Sequence, residues 1–211
     1  MASSIFSAFL IFFFISMFGC APTFNGGKDF SSTVRSEMVL DKTNKDEVVK
    51  LFGIPKEMRT VSINGTEYEE YHYLFLKENP PSFFEPPVSR GKRPKKPFIK
   101  ALTIDFKNDC VQNYQLFSTF PGEFITFDQE LIKEIIINRT SDSDLMATFG
   151  PPHGKSMVAA EKISPETTGI ENAVTIWSYR GIILDQNNEE KAKSLNLYLD
   201  NKGVVIKKTF E

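Results

Sequence analysis

Apolar and polar positions alternate in several stretches of the chain. Leu102, Ile104 and Phe106 take every second place in "ALTIDF" (101–106), and Leu195, Leu197 and Leu199 do so in "LNLYL" (195–199). Period two places such residues on one face of a half-buried strand. "EYHYLFL" (70–76), "VQNYQLF" (111–117), "IWSYRG" (176–181) and "VVIKKTF" (204–210) read as further strands. "KNDC" (107–110) and "DNKG" (200–203) are tight-turn sequences between the last two strands of each set. Asn64-Gly65, between "MRTVSI" and "TEYEEY", favours a type I′ turn and one more hairpin.

A helical spacing precedes each strand set, and it is nearly the same spacing twice. "KLFGIPK" (50–56) and "ATFGPPH" (147–153) share Phe-Gly-x-Pro, and Leu40–Pro55 overlays Ile137–Pro152 without a gap. Val48 and Phe52, like Leu145 and Phe149, are four apart and can share one buried face. Thr43 and Thr140 are the expected N-caps. Asp46, Glu47, Asp142 and Asp144 suit the positive end of the helix dipole. Gly53 and Gly150 fit the left-handed position after a helix, and Pro55 and Pro152 prevent its resumption. Gly followed by Pro is common after helices, so one such window could be coincidence. The strand order that follows both windows argues for a repeat. Tyr71 and Tyr73 take the places of Trp177 and Tyr179, and Cys110 that of Gly203. Upstream, "FDQELIKEIII" (127–137) reads as a helix with Leu131, Ile135 and Ile136 on one side. Its counterpart "FSSTVRSEMVL" (30–40) is Ser/Thr-rich and reads as shorter or frayed. The prediction is an α+β fold of two tandem α-α-β-β-β units, 35–117 and 127–211, joined by a linker over 118–126. Helices pack on one face of antiparallel sheets.

An insert breaks the symmetry. "KENPPSFFEPPVSRGKRPKKPFIK" (77–100) has six prolines and seven Lys/Arg against two Glu, a local +5 in a chain of net charge −2. It reads as an extended loop. Phe83, Phe84, Arg90, Lys92, Arg93, Lys95 and Lys96 are its candidate contacts with a protein partner or an anionic lipid surface. A solvated loop kept soluble by its charge is the other reading.

The first twenty residues, "MASSIFSAFLIFFFISMFGC", carry no charge. Their apolar run is short for a membrane-spanning helix and fits a secretory signal over 1–19. Gly19-Cys20 at its end resembles a bacterial lipobox, which makes Cys20 the candidate lipidation site. "APTFNGGKDFSS" (21–32) suits a flexible tether, placed over 20–34. Ordinary secretion and an uncleaved anchor are the alternatives. A Cys20–Cys110 disulfide is open only if Cys20 is not lipidated.

Chemistry-bearing motifs are sparse. "GPPHGKS" (150–156) has three residues between its glycines where a phosphate loop needs four, and two of those are Pro151 and Pro152, which offer no N–H to phosphate. His72 and His153 stand apart with no cysteine cluster, so no metal site is expected. His72 reads as a solvent-side strand residue. The sequons at Asn64 and Asn138 are explained by turn and cap roles. No cofactor, no nucleic-acid partner and no catalytic residues are expected.

The carriers Thr43, Val48, Phe52, Gly53, Pro55, Tyr71 and Tyr73, with Thr140, Leu145, Phe149, Gly150, Pro152, Trp177 and Tyr179, make a pattern that resembles the BamE (SmpA/OmlA) lipoproteins. It is also similar to the wider group sharing the β-lactamase-inhibitor-protein fold. That resemblance implies a non-catalytic, lipid-anchored envelope protein, in the outer membrane facing the periplasm, that binds a protein partner as a scaffold or assembly factor. The alternative it implies is an inhibitor-like module that occludes an enzyme. An envelope enzyme using carboxylates assembled by folding is a third reading. A large aromatic sheet surface would favour the inhibitor, and a tight pocket of clustered Asp and Glu the enzyme.

Overall fold

Two eight-residue helices carry the Phe-Gly-x-Pro motifs, Lys45–Phe52 and Asp142–Phe149. Each begins with a capping box. Asn44 accepts from the Glu47 N–H while Glu47 accepts from the Asn44 N–H, and Ser141 and Asp144 do the same. The caps therefore lie one residue beyond Thr43 and Thr140. A cap must be the residue whose own carbonyl opens the helical ladder. Here those carbonyls are Asn44 O, which accepts from Val48 N, and Ser141 O, which accepts from Leu145 N. Thr43 and Thr140 instead accept from the N–H groups of Val39 and Ile136, at 2.9 and 2.8 Å, and close the turn leading into each helix.

Both helices stop at glycine. Gly53 has φ 84 and ψ −165, and Gly150 has φ 71 and ψ −163. This is not the left-handed helical well expected from the sequence but the extended positive-φ region that essentially only glycine occupies. The unusual backbone presents each glycine carbonyl to a strand tyrosine. Tyr73 Oη donates to Gly53 O and Tyr179 Oη to Gly150 O, each at 3.1 Å.

The structure, a computed structural model, describes residues 25–77, 97–123, 125–160, 169–184 and 190–211. Its strands are β1 (Asn25–Gly26), β2 (Glu57–Ile63), β3 (Thr66–Lys77), β4 (Phe98–Lys107), β5 (Cys110–Ser118), β6 (Ile125–Thr126), β7 (Gly154–Met157), β8 (Thr175–Leu184), β9 (Glu190–Leu199) and β10 (Val205–Phe210). They form one sheet in the order β1-β3-β4-β5-β7-β8-β9-β10, with β2 beside β3 and β6 beside β8. Pairing is antiparallel except between β6 and β8. The expected hairpin at Asn64-Gly65 is present, with φ of 52 and 76.

The fold is thus α+β, with helices on one face of an antiparallel sheet, as the sequence predicts. The two strand sets are not separate sheets, because β7 pairs with both β5 and β8 and makes them continuous. The expected helix over 127–137 is only Gln129–Lys133, and its first-half counterpart is a 3₁₀ helix, Ser32–Glu37. The run Ile135-Ile136-Ile137 is β-branched and resists helix, and its backbone enters the turn that Thr140 closes. Ile132 and Ile135 are buried there, whereas Ile136 is half exposed. Cys110 corresponds to Val204 rather than Gly203. Val111 N donates to Thr43 O and Val205 N to Thr140 O, and the matching bridges are Asn44–Cys110 and Ser141–Val204.

The core lies between helices and sheet in two clusters. One gathers Phe30, Val48, Phe52, Tyr73, Leu102, Ile104 and Tyr114, and the other Ile132, Leu145, Trp177, Tyr179, Leu195 and Leu197.

Candidate functional site

Alternation gives the sheet two unlike faces. Tyr71, Tyr73, Trp177 and Tyr179 point toward the helices, so their neighbours in sequence point the other way. No helix of eight residues or more among the described residues covers that second face.

In the first half the open face carries a charged network. Glu70 on β3 lies directly opposite Asp105 on β4, and His72 lies opposite Thr103. The Glu70 carboxylate accepts from Arg59 Nε on β2 and from His72 Nε2. His72 Nδ1 then accepts from the Thr103 hydroxyl at 3.3 Å. Asn113 Nδ2 on β5 donates to Asp105 Oδ2 at 2.7 Å. His72 is therefore not a free solvent-side histidine but half-buried and bonded at both nitrogens. Burial opposes ionisation of Glu70, but its bonds from Arg59 and His72 hold the carboxyl below the usual range. For Asp105 burial dominates and, with Glu70 beside it, pushes the carboxyl up to about 6. Asp105 is 2% exposed and Glu70 9%. Residues 157–160 cross this face beside the pair: Met157 packs on Ile63 and Tyr68, and Tyr68 Oη donates to Ala159 O at 3.3 Å.

In the second half the centre of the same face carries Ser and Asn in place of ionised groups, and Ile176 on it is buried. Ile176 lies opposite Tyr198, Ser178 opposite Asn196, and Arg180 opposite Ser194. Ser178 donates to Asn196 at 2.8 Å.

Between the halves, β5 and β8 part where β7 ends, and His153 fills the break. The Arg180 N–H donates to His153 Nδ1 at 3.2 Å, and His153 Nε2 donates to Glu123 O at 2.9 Å. These bonds specify the neutral ring, and burial above all lowers its pKa. From the first half, Arg35 donates to Pro152 O at 2.9 Å and to Pro151 O at 3.2 Å. Above this joint opens a cleft of about 610 Å³, lined in part by Phe117, Thr119, Arg180, Ile182, Ala192 and Ser194. Phe117 is 47% exposed, and among the described residues the Arg180 guanidinium donates to the neutral amide of Gln115.

The site residues expected from sequence, Cys20, Phe83, Phe84, Arg90, Lys92, Arg93, Lys95 and Lys96, lie outside the described residues. The open-face groups were not singled out by sequence reasoning. Their signal was the polar half of the strand alternation: Thr103 and Asp105 in "ALTIDF", Glu70 and His72 in "EYHY". A buried Glu–Asp pair does form, but it is covered and bonded to protein groups, not set in the cleft. Among the described residues no group of three or more His, Cys, Asp or Glu is placed to hold a metal ion.

No protein-family model and no curated protein matches the chain. One solved structure resembles it at the level of fold, a Streptococcus mutans protein provisionally described as a β-lactamase inhibitor protein. Identity is 12%, coverage is 83% of this chain and 91% of that one, and the TM-score is 0.49. No functional inference rests on that likeness.

Proposed function

We propose that the chain is a non-catalytic protein-binding module that occludes a partner protein with the open face of its sheet, in the manner of an inhibitor. The observation that carries this reading is the face around the cleft at the joint between the halves. Phe117 stands half exposed beside Ile182 and Ala192, and Arg180 is exposed without a carboxylate partner among the described residues. An apolar anchor rimmed by hydrogen-bonding groups is how interface energy is concentrated. The complementary partner presents an apolar side chain next to a carboxylate that meets Arg180. One continuous sheet provides one broad face, which suits occlusion of a single partner better than scaffolding of several.

The same proposal includes a lipid on Cys20, supported by the uncharged leader and the polar tether, and a place in the bacterial cell envelope. It takes the chain as two copies of one α+β unit, supported by the paired capping boxes and tyrosine–glycine bonds. It assigns the basic insert around Arg90–Lys96 to an anionic surface.

A photocrosslinking residue at Phe117, compared with one at Met146 on the helix side, tests the face. One partner should crosslink from position 117 alone, and Arg180→Glu should weaken its purified complex by at least about ten-fold, a loss on the order of 1.4 kcal/mol. Equal crosslinking from both positions would refute the open-face reading.

A further inference from the structure

Two buried carboxyl groups stand side by side on the open face. Glu70 and Asp105 are direct cross-strand partners. Such partners sit roughly 5 Å apart, and two carboxylates that close under cover resist ionising together. The bonding pattern says which one gives way. Glu70 has two donors, Arg59 and His72. Among the described residues Asp105 has one, Asn113 Nδ2 on Oδ2, while its Oδ1 is sealed from solvent without a partner. A proton on Oδ1 turns that orphaned acceptor into a donor for Glu70.

A short strap crosses this face at Tyr68, two residues from Glu70 on the same strand. β7 and β3 are separated in the sheet by β5 and β4. The Met157–Ala160 segment and the Tyr68 ring bridge that gap from opposite sides, joined by the bond to Ala159 O and by the packing of Met157. Asp105 and Asn113 lie on the two strands so bridged.

We propose that Glu70 and Asp105 share a proton that keeps this strap seated, and that loss of the proton lifts it from the open face. Among the described residues, the other charged and titratable groups on this side of the sheet are Glu57 and Arg59 on β2, His72 and Tyr68 on β3, and Lys107, whose ammonium lies 5.9 Å from the Tyr68 ring centre. The strap itself, Met-Val-Ala-Ala, brings no charge. Burial and the neighbouring Glu70 set the Asp105 transition at about 6, so the strap responds near neutral pH. If the open face is the binding surface proposed above, the strap also sets how much of its first half a partner reaches. The switch itself does not depend on that reading.

Hydrogen exchange of the full chain tests it. The Val158 N–H, which donates to Val174 O, reports the strap, and the Val205 N–H, which donates to Thr140 O, is the control. With the Asp105 transition at about 6 when strapped and about 3.9 when released, protection of Val158, corrected for intrinsic rate, should fall on the order of ten-fold from pH 5 to 8. Val205 should not follow. Asp105→Asn, a shape match for the protonated acid, should abolish the fall; Glu70→Gln, which removes the neighbouring carboxylate but leaves Asp105 buried, should reduce it, and an undiminished fall in that variant would refute the shared proton if the first variant fails to fold. His72→Gln should keep it. A flat profile in the parent protein, the same slope in Asp105→Asn, loss of the slope in His72→Gln, or an equal change at Val205 would each overturn the proposal.

Discussion

Two regions of the molecule make the same contact and differ on the open face beside it. Tyr73 and Tyr179 each donate to the glycine that ends the helix beneath it. Stepping along the strands from that fixed point, Glu70 corresponds to Ile176, His72 to Ser178 and Leu74 to Arg180. Across the pairing, Asp105 corresponds to Tyr198 and Thr103 to Asn196. The helix-facing residues are large and apolar in both halves because they fill a closed core. The open-face residues meet no such demand. One half uses them for a buried ionic network beside a strap, the other for half-buried hydrogen-bonding groups and the exposed Arg180 beside a cleft. Chemistry that distinguishes the halves therefore sits where packing constrains least.

The most severe way to break the common frame is to remove its tyrosines. Tyr73→Ala and Tyr179→Ala should each cost about 3–5 kcal/mol by denaturant unfolding, since a large buried ring leaves a cavity. Markedly unequal costs would mean that the two corners do not bear equal loads.

The difference between the halves is sharpened by pH. Because Asp105 is held above its unfolded value, at about 6, the folded state takes up its proton first. Its stabilising contribution is complete below about pH 4 and is lost as pH rises through 6. Asp105→Asn should therefore gain about 1–3 kcal/mol on the parent between pH 4 and 8. His153 at the joint has the opposite sign. Its folded pKa is lowered, so the joint weakens as pH falls below the ordinary histidine range. His153→Gln should reduce that acid-side loss. Unfolding curves across pH for both variants check the signs.

The helix-ending glycines come next. Gly53→Val and Gly150→Val should each cost about 1–3 kcal/mol, from backbone strain alone. Nothing lies near the Gly150 Cβ position, and only the flexible Lys28 side chain approaches that of Gly53. A negligible cost at Gly150 would show that its backbone relaxes freely. The smallest effect belongs to the caps, where Asn44→Ala and Ser141→Ala should each cost about 1 kcal/mol in thermal or denaturant melts.

Local signals carried much of this architecture. Period-two alternation in "ALTIDF" and "LNLYL", Asn64-Gly65, and the Phe-Gly-x-Pro stops identified strands, a hairpin and two helix ends. Each depends on a few neighbouring residues and on backbone sterics that act before any tertiary contact. Tyr73 and Tyr179 were matched by position alone, although nothing in sequence showed that each would bind a glycine carbonyl. The caps were misplaced by one residue because Thr43 and Asn44, like Thr140 and Ser141, are adjacent residues that can both cap, and only the first ladder carbonyl decides between them. Tertiary structure alone decided that β7 would weld two strand sets into one sheet, that His153 would plug the break beside it, and that Glu70 and Asp105 would meet beside a strap. Those outcomes join residues from 18 positions apart, as Met157 and Thr175, to 91 apart, as Tyr68 and Ala159, and their stability comes from burial and pairing that few local windows contain.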